Sequence, residues 1–380
     1  MFRQNRELMS SPTRSLLLLA AFTSLAGCGG DDSDGPPLPR AEDLPAGEWT
    51  EIAPGGDTIC SRGDPYSFFV RPGTVDRVIV DFIGGGACWD ERTCGVADAI
   101  FSDSVDEIRA AVQNGEPAGL YDHENADNPF ADYWHVVVPY CTGDIHWGNA
   151  TTTYGEGENE ITIHHRGAVN ARAVLDWVYG NFESPERMLV TGCSAGSYGS
   201  VMWSAHIMQH YEGVPVLHFG DSGAGIITDE FFRNSFPSWN ATEVFPSWIP
   251  ALDPAENDIF SMALPDLYAG IANAYPTQRM SQYNTALDDN QTFYFRAMGG
   301  SGVEEWSERM QMSIAEIEER APNFSSFLAS GQQHCIVPYD NFYTVNVGGR
   351  RLVDWLRELE QGEDPASVAC SGDECSAPTP

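Results

Sequence analysis

The chain contains no lysine: its 20 basic residues are all arginine, set against 55 Asp+Glu, for a formal net charge of -35. So little positive charge excludes nucleic-acid binding, which needs a basic face against phosphate, and repels strongly anionic polymers. What it offers is solubility, with salt screening the self-repulsion. No C-x-x-C pair occurs, so the cysteines lack the spacing of a zinc site. His123, His146 and the pair His164-His165 show no metal-ligand spacing either, and nothing implies a metal or a cofactor. No internal repeat is visible, and no apolar run is long enough for a stable transmembrane helix.

What is present is ample core material. Of 380 residues, 42% are hydrophobic and 11% aromatic, enough for one large α/β domain or two small ones, and 37 Gly with 24 Pro imply many turns. Residues 1–28 read as an export signal: Arg3, Arg6 and Arg14 precede the apolar run Leu16 to Phe22, and a small-residue site follows. Leu25-Ala26-Gly27-Cys28 resembles the bacterial lipobox, in which the cysteine is lipidated; an ordinary cleaved signal is the alternative. Residues 29–46, rich in Gly, Asp and Pro, read as a flexible tether before a folded domain spanning 47–380. The expectation is an exported monomer, cell-surface, periplasmic or secreted, that meets a membrane only through a lipid on Cys28.

The chain centres on Met188 to Ser200. Met188-Leu189-Val190 reads as a buried strand, Gly192-Cys193-Ser194-Ala195-Gly196 fits G-x-S-x-G, and Val201 to Tyr211 reads as a helix. Strand, sharp turn and helix form the context of a nucleophile elbow, which lifts a serine hydroxyl above the end of a sheet. Upstream, the strand Arg77 to Ile83 runs into Gly84-Gly85-Gly86. A glycine-rich turn there supplies backbone N–H groups, with that of Ala195, to an oxyanion hole. Further strands are read at Tyr66–Val70, His135–Cys141, Val214–Phe219 and Thr292–Met298, and helices at 167–179, 303–320 and 347–360. The alternation predicts an α/β fold, with a mostly parallel central sheet flanked by helices. Residues 224–280, irregular and dense in aromatics, read as a cap insertion over the site.

A serine needs a base. In this fold class the triad order is Ser, acid, His. His206 and His210 lie on the helix leaving the elbow and His218 lies within a strand, which leaves His334 on a late loop. The acid stays open: Asp288 and Asp289 are adjacent, Asp253, Asp258 and Asp266 lie in the cap, and Asp221 reads as structural. Besides Cys28, eight cysteines remain: Cys60, Cys88, Cys94, Cys141, Cys193, Cys335, Cys370 and Cys375. Short spacing favours Cys88–Cys94 and Cys370–Cys375 among ~105 possible pairings.

These motifs, with Gln282-Tyr283-Asn284-Thr285-Ala286-Leu287-Asp288-Asp289-Asn290-Gln291, resemble the pectin acetylesterase family over about residues 50–360. The resemblance implies an α/β-hydrolase fold and release of acyl groups from carbohydrate or protein. It matches Ser194, Asp288 and His334 to the triad, and Gly85 or Gly86 with Ala195 to the oxyanion donors. It also implies Cys60–Cys141 and Cys88–Cys94, leaving Cys193 with Cys335. Two tryptophans of the family's plant motifs are absent: Ala87 and Asn290 stand in their places. The expected activity is hydrolysis of short acyl esters on a neutral or well-esterified glycan. The competing readings are a surface lipoprotein that keeps the fold only for binding and, more weakly, a peptidase.

Overall fold

The computed structural model describes residues 37–96 and 100–377. The expected export signal, Cys28 and the expected tether up to residue 36 lie outside them. Leu38 to Leu44, at the end of the expected tether, packs onto the body: Trp177 Nε1 donates to Pro39 O at 2.8 Å and Ala41 N to Asn181 Oδ1 at 2.8 Å.

In chain order the first half comprises β1 (Thr50–Ile52), β2 (Phe68–Arg71), β3 (Arg77–Phe82), α1 (Glu91–Cys94), α2 (Asp106–Asn114), β4 (Trp134–Val138), the hairpin β5 (Ala150–Tyr154) and β6 (Ile161–His165), α3 (Gly167–Asn181), β7 (Arg187–Cys193) and α4 (Ala195–His210). The second half comprises β8 (Val216–Asp221), α5 (Asp229–Asn234), α6 (Leu264–Ala274), β9 (Arg279–Thr285), α7 (Asp289–Ala297), α8 (Val303–Arg320), β10 (Phe324–Ala329), the short hairpin β11 (Asn346–Val347) and β12 (Arg350–Arg351), α9 (Leu352–Glu360) and β13 (Val368–Ala369).

Nine strands form one sheet in the order β1-β2-β4-β3-β7-β8-β9-β10-β13. From β4 to β13 every neighbour is parallel; β1 and β2 add an antiparallel edge. The parallel strands are buried along nearly their whole length because helices cover the sheet. The chain passes from β3 outward to β4 and returns on the other side at β7. That reversal opens a crevice beyond the carboxyl ends of β3 and β7, where α/β sheets bind ligands.

Four expectations change. Thr292–Met298 is not a strand but most of α7. Its Thr, Phe and Tyr content favours strand, yet the Asp288 side chain caps it, and the buried residues Gln291, Thr292 and Phe295 recur at helical spacing. The helix after the elbow begins at Ala195 rather than Val201. Its first turns are small residues because α4 packs tightly against β3, β7 and β8. The last helix begins at Leu352, since Gly348 and Gly349, both at positive φ, turn the β11–β12 hairpin ahead of it. The segment 224–280 is also less irregular than expected: it contains α5 and α6, and β9 begins at Arg279.

All four disulfides form: Cys60–Cys141, Cys88–Cys94, Cys193–Cys335 and Cys370–Cys375. They are of the kind oxidising compartments sustain.

Candidate active site

Ser194 sits between β7 and α4 at φ 59° and ψ -123°, a conformation that costs a non-glycine residue about 1–3 kcal/mol. Neighbours hold it there. Its N–H donates to Asp221 O at 2.9 Å, and its carbonyl accepts from Ser197 N at 2.9 Å. The elbow is pressed onto the end of β3. A Cβ on Gly192 would lie 2.5 Å from Phe82 O, one on Gly196 would lie 2.9 Å from Ile83 C, and one on Gly84 would lie 2.9 Å from Ser194 Cβ. Real side chains do not fit at such separations, so glycine is required on both sides of the serine.

Ala195 opens α4, so its N–H has no partner within the helix and lies at the positive end of the helix dipole. Gly85 and Gly86 follow β3 on the facing side. The loop is pinned: Gly85 O accepts from Ser102 N at 2.8 Å, and Gly86 adopts φ 74° as it bridges to Phe101. Beneath it, His146 Nε2 donates to Ile83 O at 2.8 Å. Burial lowers the pKa of this histidine to about 4 and keeps the ring neutral.

His334 Nδ1 donates to Asp288, at 2.9 Å from Oδ2 and 3.1 Å from Oδ1. The Asp288 side chain is fully buried, whereas that of His334 is 20% exposed, so the acid lies behind the imidazole and the imidazole faces the crevice. Asp288 also accepts from Gln291 N at 2.8 Å and Gln291 Nε2 at 3.0 Å. Its remaining lone pairs are thereby satisfied, as a buried carboxylate requires. The other imidazole nitrogen, Nε2, is buried without a hydrogen-bond partner among the described residues. Of the acids the sequence left open, Asp289 is exposed, Asp258 caps a short turn, and Asp266 pairs with Arg320 at 2.7 Å. The disulfide joining Cys193 to Cys335, with Cα atoms 5.7 Å apart, fastens the residue before Ser194 to the residue after His334.

Two cavities meet at Ser194. One, of about 110 Å³, is walled by Trp89, Trp147, Phe231, Phe236, Trp239 and Leu264, and Ala195 also lines it. The other, of about 870 Å³, is an open cleft walled by Arg71, Glu116, His123, Glu124, Tyr339 and His334. Gly86, Ser194, Asn290 and Tyr294 border both, so the serine stands at the neck between an apolar pocket and a more polar cleft.

A sequence profile of the pectinacetylesterase family matches residues 52–245, just over half of the chain. The chain belongs to the pectinacetylesterase family. Palmitoleoyl-protein carboxylesterase notum2 of Xenopus laevis is 25% identical over 148 residues, which is 37% of this chain and 28% of that protein. The chain thus spans well under a third of that relative. Two crystal forms of the Wnt deacylase Notum from Drosophila superpose with TM-scores of 0.63 and 0.61 at 17% and 16% identity. They cover 88% and 89% of this chain and all of the Notum chain. At that identity the likeness establishes the α/β-hydrolase fold.

The pectinacetylesterase match includes Gly84–Gly86 and the elbow but stops before Asp288 and His334, so the pairing of those two rests on geometry. At the two positions where family tryptophans are missing, Ala87 borders the apolar pocket and Asn290 the neck. Trp89, 4.9 Å from Phe231 ring to ring, supplies an aromatic wall two residues further on.

Two groups, Cys88/Cys94/His165 and Cys193/His334/Cys335, bring three potential metal ligands within 4.8 Å of one another. Both spend their sulfurs in disulfides, which removes the thiolates a metal would need. Sequence reasoning missed Asp144. It is buried, accepts from Thr142 Oγ1, His146 N and Gly167 N, and folds the loop that carries His146 beneath the glycines. Desolvation raises its pKa to about 6. Asp144-Ile145-His146 between a strand and a helix was the available signal, but nothing local says that this loop turns inward.

Proposed function

We propose that the protein is a serine carboxylesterase that removes short acyl groups from an extracellular glycan. Ser194 attacks the ester carbonyl while His334 Nε2 takes its proton. Asp288 holds the imidazole in the tautomer that leaves Nε2 free and stabilises the imidazolium. The amides of Ala195 and of Gly85 or Gly86 stabilise the oxyanion. His334 then returns the proton to the leaving alcohol, and water hydrolyses the acyl-enzyme by the same route. The observation that carries this reading is His334 itself: one nitrogen on a buried carboxylate, the other unpartnered beside the cleft that Ser194 borders.

The apolar pocket suits the acyl group and the polar cleft the alcohol. At about 110 Å³ the pocket is smaller than the ~150 Å³ cavity that accepts benzene, which favours a few carbons over a long fatty chain. The net charge of -35 argues for a neutral or well-esterified glycan over a polyanion. Aromatic residues from 224–263 wall the pocket as a cap would. The chain would act as an exported monomer, anchored through Cys28 and needing no cofactor.

Ser194→Ala is expected to abolish hydrolysis of p-nitrophenyl acetate while the circular dichroism and Tm stay near wild type; full activity in that variant would refute the reading. A folded wild type that fails to react with a fluorophosphonate would instead favour a binding protein on the same fold.

A further inference from the structure

Asp221 ends β8 with a fully buried carboxylate that meets no cation of lysine or arginine among its hydrogen-bond partners. Its Oδ2 accepts from Ile336 N at 2.7 Å and Val337 N at 2.9 Å, the two amides that follow Cys335. Its Oδ1 accepts from Ser222 Oγ at 3.0 Å, and Ser222 Oγ in turn accepts from Cys335 N at 2.9 Å. Three consecutive amides just after His334 are therefore held by Asp221, directly or through one hydroxyl. The main chain of the same residue accepts the N–H of Ser194 at 2.9 Å. Strand pairing sets Asp221 beside Cys193 on β7 and Tyr283 on β9, and Tyr283 lies five residues before Asp288.

We propose that Asp221 is a positioning residue of the active site, fixing the His334 loop against the Ser194 elbow in parallel with the Cys193–Cys335 disulfide. The proposal rests on the assignment of Ser194 and His334 made above. The physical case is one of cost and return. A buried carboxylate is expensive unless its charge is met by several good donors. Here every donor comes from the base-bearing loop or its neighbour Ser222. The loop also needs an external hold, because Cys335 adopts φ 66°, in the left-handed region. Two ties serve one loop: the disulfide fixes its backbone at Cys335, and the carboxylate fixes the direction in which it leaves. The titratable groups facing Asp221 are His334, which favours the charged form, and Tyr283, whose own ionisation is suppressed first by burial and then by Asp221 and Asp288. Burial raises the pKa of Asp221 to about 6, against the pull of the amides. Above that pH the carboxylate is charged and its hold on the loop is strongest.

The test measures kcat and KM on p-nitrophenyl acetate for Asp221→Asn, Asp221→Ala, Cys193→Ala/Cys335→Ala, and the disulfide variant combined with Asp221→Ala. A misplaced imidazole slows chemistry more than binding, so Asp221→Ala is expected to lower kcat about 10- to 100-fold with KM nearly unchanged. Asp221→Asn, which keeps an acceptor oxygen, recovers part of this loss. Because two ties share one loop, the combined variant is expected to lose more than the product of the separate losses. Below about pH 6 wild-type kcat is expected to fall more steeply than that of Asp221→Asn. Unchanged kcat in Asp221→Ala, or simple multiplicativity with the disulfide variant, would overturn the proposal.

A second measurement needs no turnover. Hydrogen exchange at the Ile336 and Val337 amides, and the NMR signal of the His334 Nδ1 proton, are expected to lose protection in Asp221→Ala but not in Ser194→Ala. If these respond while wild-type protein ignores a fluorophosphonate, the esterase reading fails and the tie stands. If they do not respond, the tie fails whatever the activity.

Discussion

On one side of Ser194 lies a pocket walled by Trp89, Trp147, Phe231, Phe236 and Trp239, on the other a cleft with Arg71, Glu116, His123 and Glu124 in its walls. The two share the serine, yet they come from different kinds of chain. About half of the pocket's lining is drawn from one insertion between β8 and β9, whose rings pack edge to face: Phe236 with Trp239 at 5.6 Å, Phe231 with Trp239 at 5.9 Å. The cleft gathers side chains from β2, the loop after α2 and the loops after β3 and β10. An apolar pocket can be assembled around one such insertion, because its rings pack against whatever ring is nearest, as Phe231 does against Trp89 at 4.9 Å. A polar cleft cannot, since each charged group needs solvent or a partner, and distant segments must converge to supply them.

Breaking the neck affects both sides at once. Asp288→Asn leaves the shape intact but lets His334 adopt the wrong tautomer. It is expected to lower kcat about 10³- to 10⁴-fold for every acyl chain and every alcohol, measured on p-nitrophenyl esters and on an acetylated oligosaccharide. A loss confined to one class of substrate would show that pocket and cleft do not share one base.

The pocket side is tested by chain length. Phe232 is half-buried and stacked on Phe236 at 4.6 Å, so its removal enlarges the pocket at lower structural cost than removing a core ring. Phe232→Ala is expected to raise the octanoate-to-acetate ratio of kcat/KM about tenfold. Wild type should prefer acetate or butyrate to palmitate. A preference for palmitate would mean that the pocket opens well beyond its present volume.

Tyr339, 49% exposed at the rim of the cleft, tests the other side. Tyr339→Ala is expected to raise KM for an acetylated oligosaccharide about three- to tenfold through lost ring stacking, with p-nitrophenyl acetate unaffected. An equal effect on both substrates would place Tyr339 in the chemistry instead.

The smallest effect concerns acid. Burial lowers the pKa of His123 and His218 to about 3 and of His146 and His165 to about 4. The unfolded chain therefore binds more protons than the folded one from about pH 6.5 down to 4, and stability falls as pH falls through that window. Asp144 and Asp221, raised to about 6, act in the opposite sense between about 6 and 4 and offset part of the loss. Four histidines outweigh two carboxylates, so Tm is expected to drop between pH 7 and 4.5. His123 walls the cleft and His146 supports the glycine loop beside it. Hydrogen exchange at pH 4.5 should accordingly loosen the cleft side before the pocket.

Much of this was legible without coordinates. The elbow, the glycine loop and α8 could be read because each rests on local chemistry: a turn that only glycine permits, or an apolar face repeating every third or fourth residue. β9 and β10 could not. Their Ser281, Gln282, Asn284, Ser325 and Ser326 are polar yet buried, and that burial comes from the neighbouring strands and helices, as where Ser281 Oγ donates to His218 O at 2.7 Å. Thr292–Met298 misled for a related reason, since its strand-favouring residues were overruled by a cap four positions earlier.

By itself the sequence determined the strained turn that carries Ser194, the class of fold and the acidic, lysine-free surface, since these depend on residue type and near neighbours alone. Which carboxylate meets His334, matched to Asp288 by the resemblance but left open by the residues themselves, and what Asp221 does, were decided by the tertiary structure. Asp288 and Asp289 are equivalent in composition and differ only in which of them β9 and α7 turn inward. Asp221 acquires its partners from amides more than a hundred residues away, which no local pattern encodes.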